Sequence, residues 1–217
     1  GFASVNEAIA VRKCGVYGSQ VRHRQYADGT KQINKDFLHV TKIYATFAEN
    51  NKKDTAMGKF INPFTDWGFK LIFGREITKD LLISFLNDMF AGKHHIVDLT
   101  FLDKEQLPEA KDMRGVIYDI YCRTSDGEHI IVEMQNRYQE YFLDRTLFYA
   151  ARSIVGQSQK GMWDYSLVPV YTICFMNYGE SEDTPHKFRT DVALADIASG
   201  EQFTDKLHFI YLMLPLF

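Results

Sequence analysis

Residues 115–135 read GVIYDIYCRTSDGEHIIVEMQ, and the way this stretch folds back on itself decides how the rest is read. Two apolar-rich runs, GVIYDIYCRT and EHIIVEMQ, flank Ser125-Asp126-Gly127. Gly127 suits the left-handed position of a three-residue hairpin loop. That loop pairs Thr124 with Glu128 and carries Asp119 opposite Glu133, and facing residues of an antiparallel pair point to one side. Gln135, two residues beyond Glu133, shares that side. Ile120, Cys122, Ile130, Val132 and Met134 face the other way and suit a core. A two-residue Asp126-Gly127 turn would shift the pairing by one and separate the acids, so the polarity pattern favours the longer loop. Two facing carboxylates repel unless something neutralises them. A hard divalent cation such as Mg²⁺ does so with oxygen ligands. The plainer alternative is a solvated sheet face on which Arg or Lys partners the acids.

Outward from the hairpin, Thr65 or Asp66 caps a short helix over 67–73, which Gly74 ends. A second helix is expected over 78–90, with Leu81, Leu82, Phe85, Leu86 and Met89 on one face. Residues 96–102 read as a strand, and a long helix is expected over 139–159. LVPVYTICFM (167–176) reads as a buried strand and residues 207–214 as a final one. The order is helix, three strands, long helix, strand. The chain ends directly after that run, which leaves open a domain cut short at its C-terminus. Residues 1–56 differ in texture. They carry nine basic and five acidic groups, against an overall balance of 25 basic and 28 acidic. Phe37, Val40, Tyr44 and Phe47 have helical spacing, ENNKKDTAMG reads as a linker, and a boundary is expected near Met57. The segment reads as an accessory or foreign extension, and 57–217 as the main domain.

The motifs of that domain resemble a known family. Asp119, followed after thirteen residues by Glu133-Met134-Gln135, is similar to the D…(D/E)xK core of PD-(D/E)XK nucleases, with Gln in place of Lys. Residues 62–74, NPFTDWGFKLIFG, resemble the opening of the Rpn-like, transposase-type branch. LISFLN (82–87) resembles its next helix, IVEMQ (131–135) its third motif, and RTLFYAAR (145–152) the helix after it. The likeness spans about 57–217. It implies an α/β, restriction-endonuclease-like mixed sheet flanked by helices, with an αβββαβ core. It also implies metal-dependent hydrolysis of DNA phosphodiesters in recombination or mobile-element processes of bacteria. In such sites Mg²⁺, with Mn²⁺ as substitute, is held by acids matching Asp119 and Glu133, and the Met134 carbonyl can add a backbone ligand. Gln135 takes the place of the usual Lys and orients water without bringing charge. ExQ recurs in this branch. The resemblance implies DNA as partner and allows a homodimer.

Asp66 and Lys70 match the opening motif, and Lys70 is a candidate for the charge that Gln135 lacks. A capping Asp with an i,i+4 ion pair explains them equally. Arg145, Tyr149 and Arg152 share one helix face. Some nuclease branches place a Gln-x-x-x-Tyr pair here beside the active site, and guanidinium groups suit phosphate. The alternative for these three is a solvated face. His94-His95 reads as a loop, the Phe and Tyr excess as core more than base-stacking surface, and the basic run 12–31 as solvated tail or DNA contact.

Composition excludes other classes. Hydrophobic residues make up 46% and charged residues 24%, which is neither disordered nor fibrous. No run approaches the ~18 apolar residues of a membrane span. Cys14, Cys122 and Cys174 form neither a disulfide framework nor a zinc spacing. The first residues lack a secretory h-region, so the cytoplasm is the expected compartment. A net charge of -3 disfavours a nucleic-acid coat protein but not an enzyme with a local groove. Two other readings remain: a non-catalytic DNA-binding or protein-interaction relic of the same fold, and an acidic-faced module that binds protein partners or calcium.

Overall fold

The computed structural model describes residues 65–90, 94–107, 114–179 and 185–216. The helical spacing at 37–49, the boundary near Met57 and the basic run 12–31 lie outside the described residues.

Thr65 starts the first helix. Its Oγ1 accepts the Gly68 N–H at 3.0 Å, the bond that makes Thr a good N-cap. Helix α1, Asp66–Phe73, follows, and Gly74 closes it by donating its N–H to the Lys70 carbonyl. The second helix opens as a 3-10 turn at Glu76–Thr78 and continues as α2, Lys79–Phe90. Its buried face is Leu82, Phe85, Leu86, Met89 and Phe90, whereas Leu81 is only half-buried. The rings of Phe69, Phe73, Phe85 and Phe175 pack in tilted contacts with centroids 5.2–5.4 Å apart. They pin both helices to the sheet.

The strand expected over 96–102 is shorter: β1 is Leu99–Phe101. Side chains take the preceding backbone. Asn87 Oδ1 accepts the Ile96 N–H at 2.7 Å, and Asp98 Oδ1 accepts the Leu99 N–H at 2.8 Å. The strand expected over 115–124 breaks in two. β2, Glu105–Gln106, pairs with β3, Val116–Ile117, in a separate ladder, and Tyr118 donates its N–H to the Lys104 carbonyl at 2.9 Å. The chain then enters the main sheet as β4, Ile120–Thr124, which pairs with β5, His129–Gln135. Their register sets Ile120 opposite Val132 and Cys122 opposite Ile130. Thr124 donates its N–H to Glu128, and Gly127 stands at φ 90°, as the three-residue loop requires.

The long helix is α3, Phe142–Val155, shorter than 139–159 at both ends. Tyr141 at its start is left-handed, with φ 60°. Beyond its end, the Gln157 amide holds the Val168 backbone through bonds of 2.9 and 3.2 Å. β6, Val170–Met176, is buried along its whole length. An edge strand that the sequence pattern did not announce, β7, Arg189–Ala193, precedes β8, Leu207–Met213. The six-stranded sheet has the order β1-β4-β5-β6-β8-β7. β5, β6 and β8 are parallel, and the other pairs are antiparallel. Central parallel strands need cover on both faces. α1 and α2 pack on the face of Ile120, Ile130, Val132, Ile173 and Leu212. α3 packs on the face of Tyr121, Ile131, Cys174, Phe209 and Tyr211. The architecture is a mixed α/β sheet flanked by helices, consistent with a restriction-endonuclease-like fold, enlarged beyond αβββαβ by a second leading helix and by β2, β3, β7 and β8.

Candidate active site

The break between β3 and β4 builds the site. Because Tyr118 leaves the main ladder, Asp119 stands at a gap beside the end of β5. Asp119 donates its N–H to Glu133 Oε1 at 3.0 Å, and Met134 donates its N–H to Asp119 Oδ2 at 2.9 Å. Each acid thus accepts a backbone N–H from beside the other, which fixes both carboxylates. Along β5 successive residues bond opposite neighbours. The Gln135 carbonyl accepts the Asn177 N–H on the β6 side, whereas the Met134 N–H turns toward Asp119. N–H and C=O of one strand residue point the same way. The Met134 carbonyl therefore faces the same gap, where Tyr118 no longer supplies a donor.

Glu133 is not on a solvated face. It is 4% exposed. Burial first, and then the charge of Asp119, push its carboxyl up to about 8 against the pull of the Asp119 N–H, Arg145 and Lys70. Lys70 comes from α1, its Nζ 2.7 Å from Asp119 Oδ1 and 3.0 Å from Asp66 Oδ1. Partial burial lowers its pKa, but the bonds to Asp119 and Asp66 outweigh that and hold the ammonium above its ordinary value. Asp66 is the exposed outer partner. Lys70 is at once the i,i+4 ion pair that the spacing suggests and a direct neighbour of Asp119.

Gln135 is locked. Its Nε2 donates to the Arg137 carbonyl, and its Oε1 accepts from Arg145 Nη2 at 2.8 Å. Arg145 also donates to Gln139 Oε1 and lies over the Phe142 ring at 4.8 Å and the Tyr149 ring at 5.8 Å. Its Nε is buried without a hydrogen-bond partner among the described residues. An unpaired buried guanidinium donor is costly unless an anion arrives. Tyr149 is half-buried. Burial and then the Glu133 charge raise its phenol, and its carbonyl accepts from Tyr118 Oη at 3.1 Å. Arg152 lies one turn further along α3 and donates to the Leu107 carbonyl at 3.2 Å.

The structure thus links Asp66, Lys70, Asp119 and Glu133 through ion pairs and hydrogen bonds and sets the Gln135–Arg145 pair close enough for the Arg145 charge to act on Glu133, whereas Arg152 bonds to the Leu107 carbonyl. His94 lies elsewhere, bonded to Tyr171 Oη at 2.8 Å and paired with Glu128 at the opposite end of β5. Gln139, the second anchor of Arg145, carries no sequence signal, since no helical or strand periodicity links residues on either side of an irregular turn. The sequence pattern makes Tyr118 a mid-strand residue, and its departure from the ladder depends on β2, a two-residue strand with no pattern of its own.

Among the described residues no three His, Cys, Asp or Glu side chains converge as a complete cage. The donor set is two fixed carboxylates and a carbonyl turned into the same gap. That suits Mg²⁺, which keeps several waters and takes one or two carboxylates. No helix among the described residues is long and apolar enough to cross a membrane.

A family model described as PD-(D/E)XK nuclease family transposase matches residues 63–217. No curated protein and no solved structure matches the chain.

Proposed function

The chain belongs to the PD-(D/E)XK nuclease family transposases, and from that membership and the geometry of the acids we propose that it is a divalent-metal-dependent DNA endonuclease. The observation that carries this reading is the pair Asp119 and Glu133, each held by a backbone N–H beside the other, with the Met134 carbonyl turned into the same gap. Asp119, Glu133 and Met134 are the residues that would hold Mg²⁺, or Mn²⁺ in its place. A cation of this kind supplies positive charge against the scissile phosphate and makes water a stronger acid. Hydrolysis adds a water oxygen to phosphorus, breaks the ester P–O bond and returns a proton to the leaving oxygen. Lys70 contributes fixed charge rather than proton abstraction, because its two carboxylate partners keep it an ammonium. Asp66 is a positioning residue that acts through Lys70. Gln135 holds Arg145 in place, and the Arg145 guanidinium is the group we assign to phosphate contact. Arg152 reaches the DNA only outside the acid cluster. The proposed setting is the bacterial cytoplasm, in recombination or mobile-element processes.

One contact favours a second reading. Lys70 at 2.7 Å already neutralises Asp119, as it would in a non-catalytic DNA-binding relic. Plasmid cleavage separates the two. Supercoiled DNA should be nicked in Mg²⁺ or Mn²⁺ and left intact in EDTA. Asp119→Ala and Glu133→Ala should abolish nicking, and Lys70→Ala should slow it by roughly a hundredfold, as loss of a transition-state charge contact does. Gln135→Ala should cost less. DNA binding without nicking, unchanged in both acid variants, would establish the relic.

A further inference from the structure

The elements that carry the acid cluster also carry exposed aromatic side chains. Phe69, Phe85 and Tyr118 are buried, but Trp67 is 64% exposed, Tyr141 70% and Tyr138 47%. Trp67 lies three residues before Lys70 on α1, hence on the Lys70 side of that helix. Tyr138 and Tyr141 follow Gln135 in the turn that leads to α3. The rings therefore flank the cluster from two separate elements. Tyr141 holds φ 60° and makes no side-chain capping bond, a conformation that glycine adopts at less cost. Tyr165 shares that φ of 60° but lies in the loop beyond the far end of α3, so the conformation alone does not mark a functional ring; what sets Tyr141 apart is its position beside Gln135 and Arg145. Tyr138 packs against the edge of Tyr178, with centroids 6.0 Å apart.

Charge at the rim does not favour a duplex. Arg137 and Arg145 are offset by Glu140 and Asp144, and the whole chain carries a net charge of -3. Duplex affinity depends largely on basic groups that displace counterions from phosphates. Unpaired bases bring a second source of affinity, stacking on aromatic faces. We infer that this rim binds an unpaired DNA strand, with bases stacked on Trp67 and Tyr141 and a phosphate at Arg145. Single-stranded or locally melted DNA is then the substrate class that reaches the acids, a statement about cleavage that rests on the nuclease reading, whereas the binding itself does not.

Binding in EDTA tests this without cleavage. The chain has two tryptophans, so a Trp163→Phe background leaves Trp67 as the reporting indole. A thymine homo-oligonucleotide should quench Trp67 and bind at least tenfold more tightly than a blunt duplex of the same length. By anisotropy of the labelled oligonucleotide, Trp67→Ala and Tyr141→Gly should each weaken single-strand binding by about five- to a hundredfold. Tyr141→Gly should leave Tm unchanged or raised, which separates lost stacking from lost folding. Tyr165→Ala, 78% exposed in the loop beyond the far end of α3, should change nothing. Equal affinity for the duplex, or undiminished binding in either rim variant, overturns the inference. Failure to nick DNA by a protein that still shows this binding removes the hydrolytic reading and leaves the stacking in place.

Discussion

At the scale of single residues, Glu133 shows what the site gives up in stability. Burial and Asp119 raise its folded-state pKa from an ordinary 4.5 to about 8. Between those values the folded state holds more protons than the unfolded one, so the contribution of Glu133 to stability is complete below about 4.5 and is lost as pH rises through about 8. Glu133→Gln retains the oxygen that accepts the Asp119 N–H and removes the charge. Without metal at pH 8 to 9, this variant should melt above the wild type, by about 2–4 °C per kcal/mol of relieved cost. Near pH 5 the two should coincide. Calorimetry across this range checks the sign, and a wild type that is the more stable at pH 9 would contradict the buried-carboxylate account. Such exchange of stability for a charged group is common at functional sites.

At the scale of elements, α1 carries Lys70 to Asp119, and Thr65 sets where α1 begins. Thr65→Ala removes the cap to Gly68 and should cost about 1 kcal/mol. Nicking should fall less than in Lys70→Ala, because the helix frays without losing the ammonium. A thermal melt paired with a nicking assay checks both. The elements differ in how plainly the sequence announces them. The β4–β5 register is readable because Gly127 and the apolar set Ile120, Cys122, Ile130, Val132 and Met134 permit one pairing, and that pairing puts Asp119 beside Glu133. β6 is readable as an unbroken apolar run. β7, with sequence RTDVA, is not, because an edge strand has no buried face to impose alternation, and its Arg189–Asp191 ion pair looks like loop chemistry. The break at Tyr118 depends on Lys104, fourteen residues earlier. The Gln135–Arg145 contact joins a strand to a helix across a turn. Neither is a local property of the chain, so neither leaves a periodic signal. Lys70 illustrates the intermediate case: its spacing from Asp66 is visible, but its reach to Asp119 depends on how α1 docks.

At the scale of the whole molecule, the family match covers residues 63–217, and we propose a domain boundary near Met57. A chain beginning at Met57 should fold cooperatively with a Tm only slightly below that of the full chain. A large loss would make residues 1–56 an integral part of the domain. The fold's main work is to hold an open gap in an otherwise complete sheet: β5, β6 and β8 form a rigid parallel centre, and β3 diverts the chain so that two acids and one carbonyl face each other. Whether that gap holds a cation is measured most directly by titrating the protein with Mn²⁺ and counting free ion by electron paramagnetic resonance. The account predicts saturable binding by the wild type at pH 8, weakened at least tenfold in both Asp119→Asn and Glu133→Gln. Binding equally tight in wild type and both variants, or no binding by the folded wild type, would contradict it.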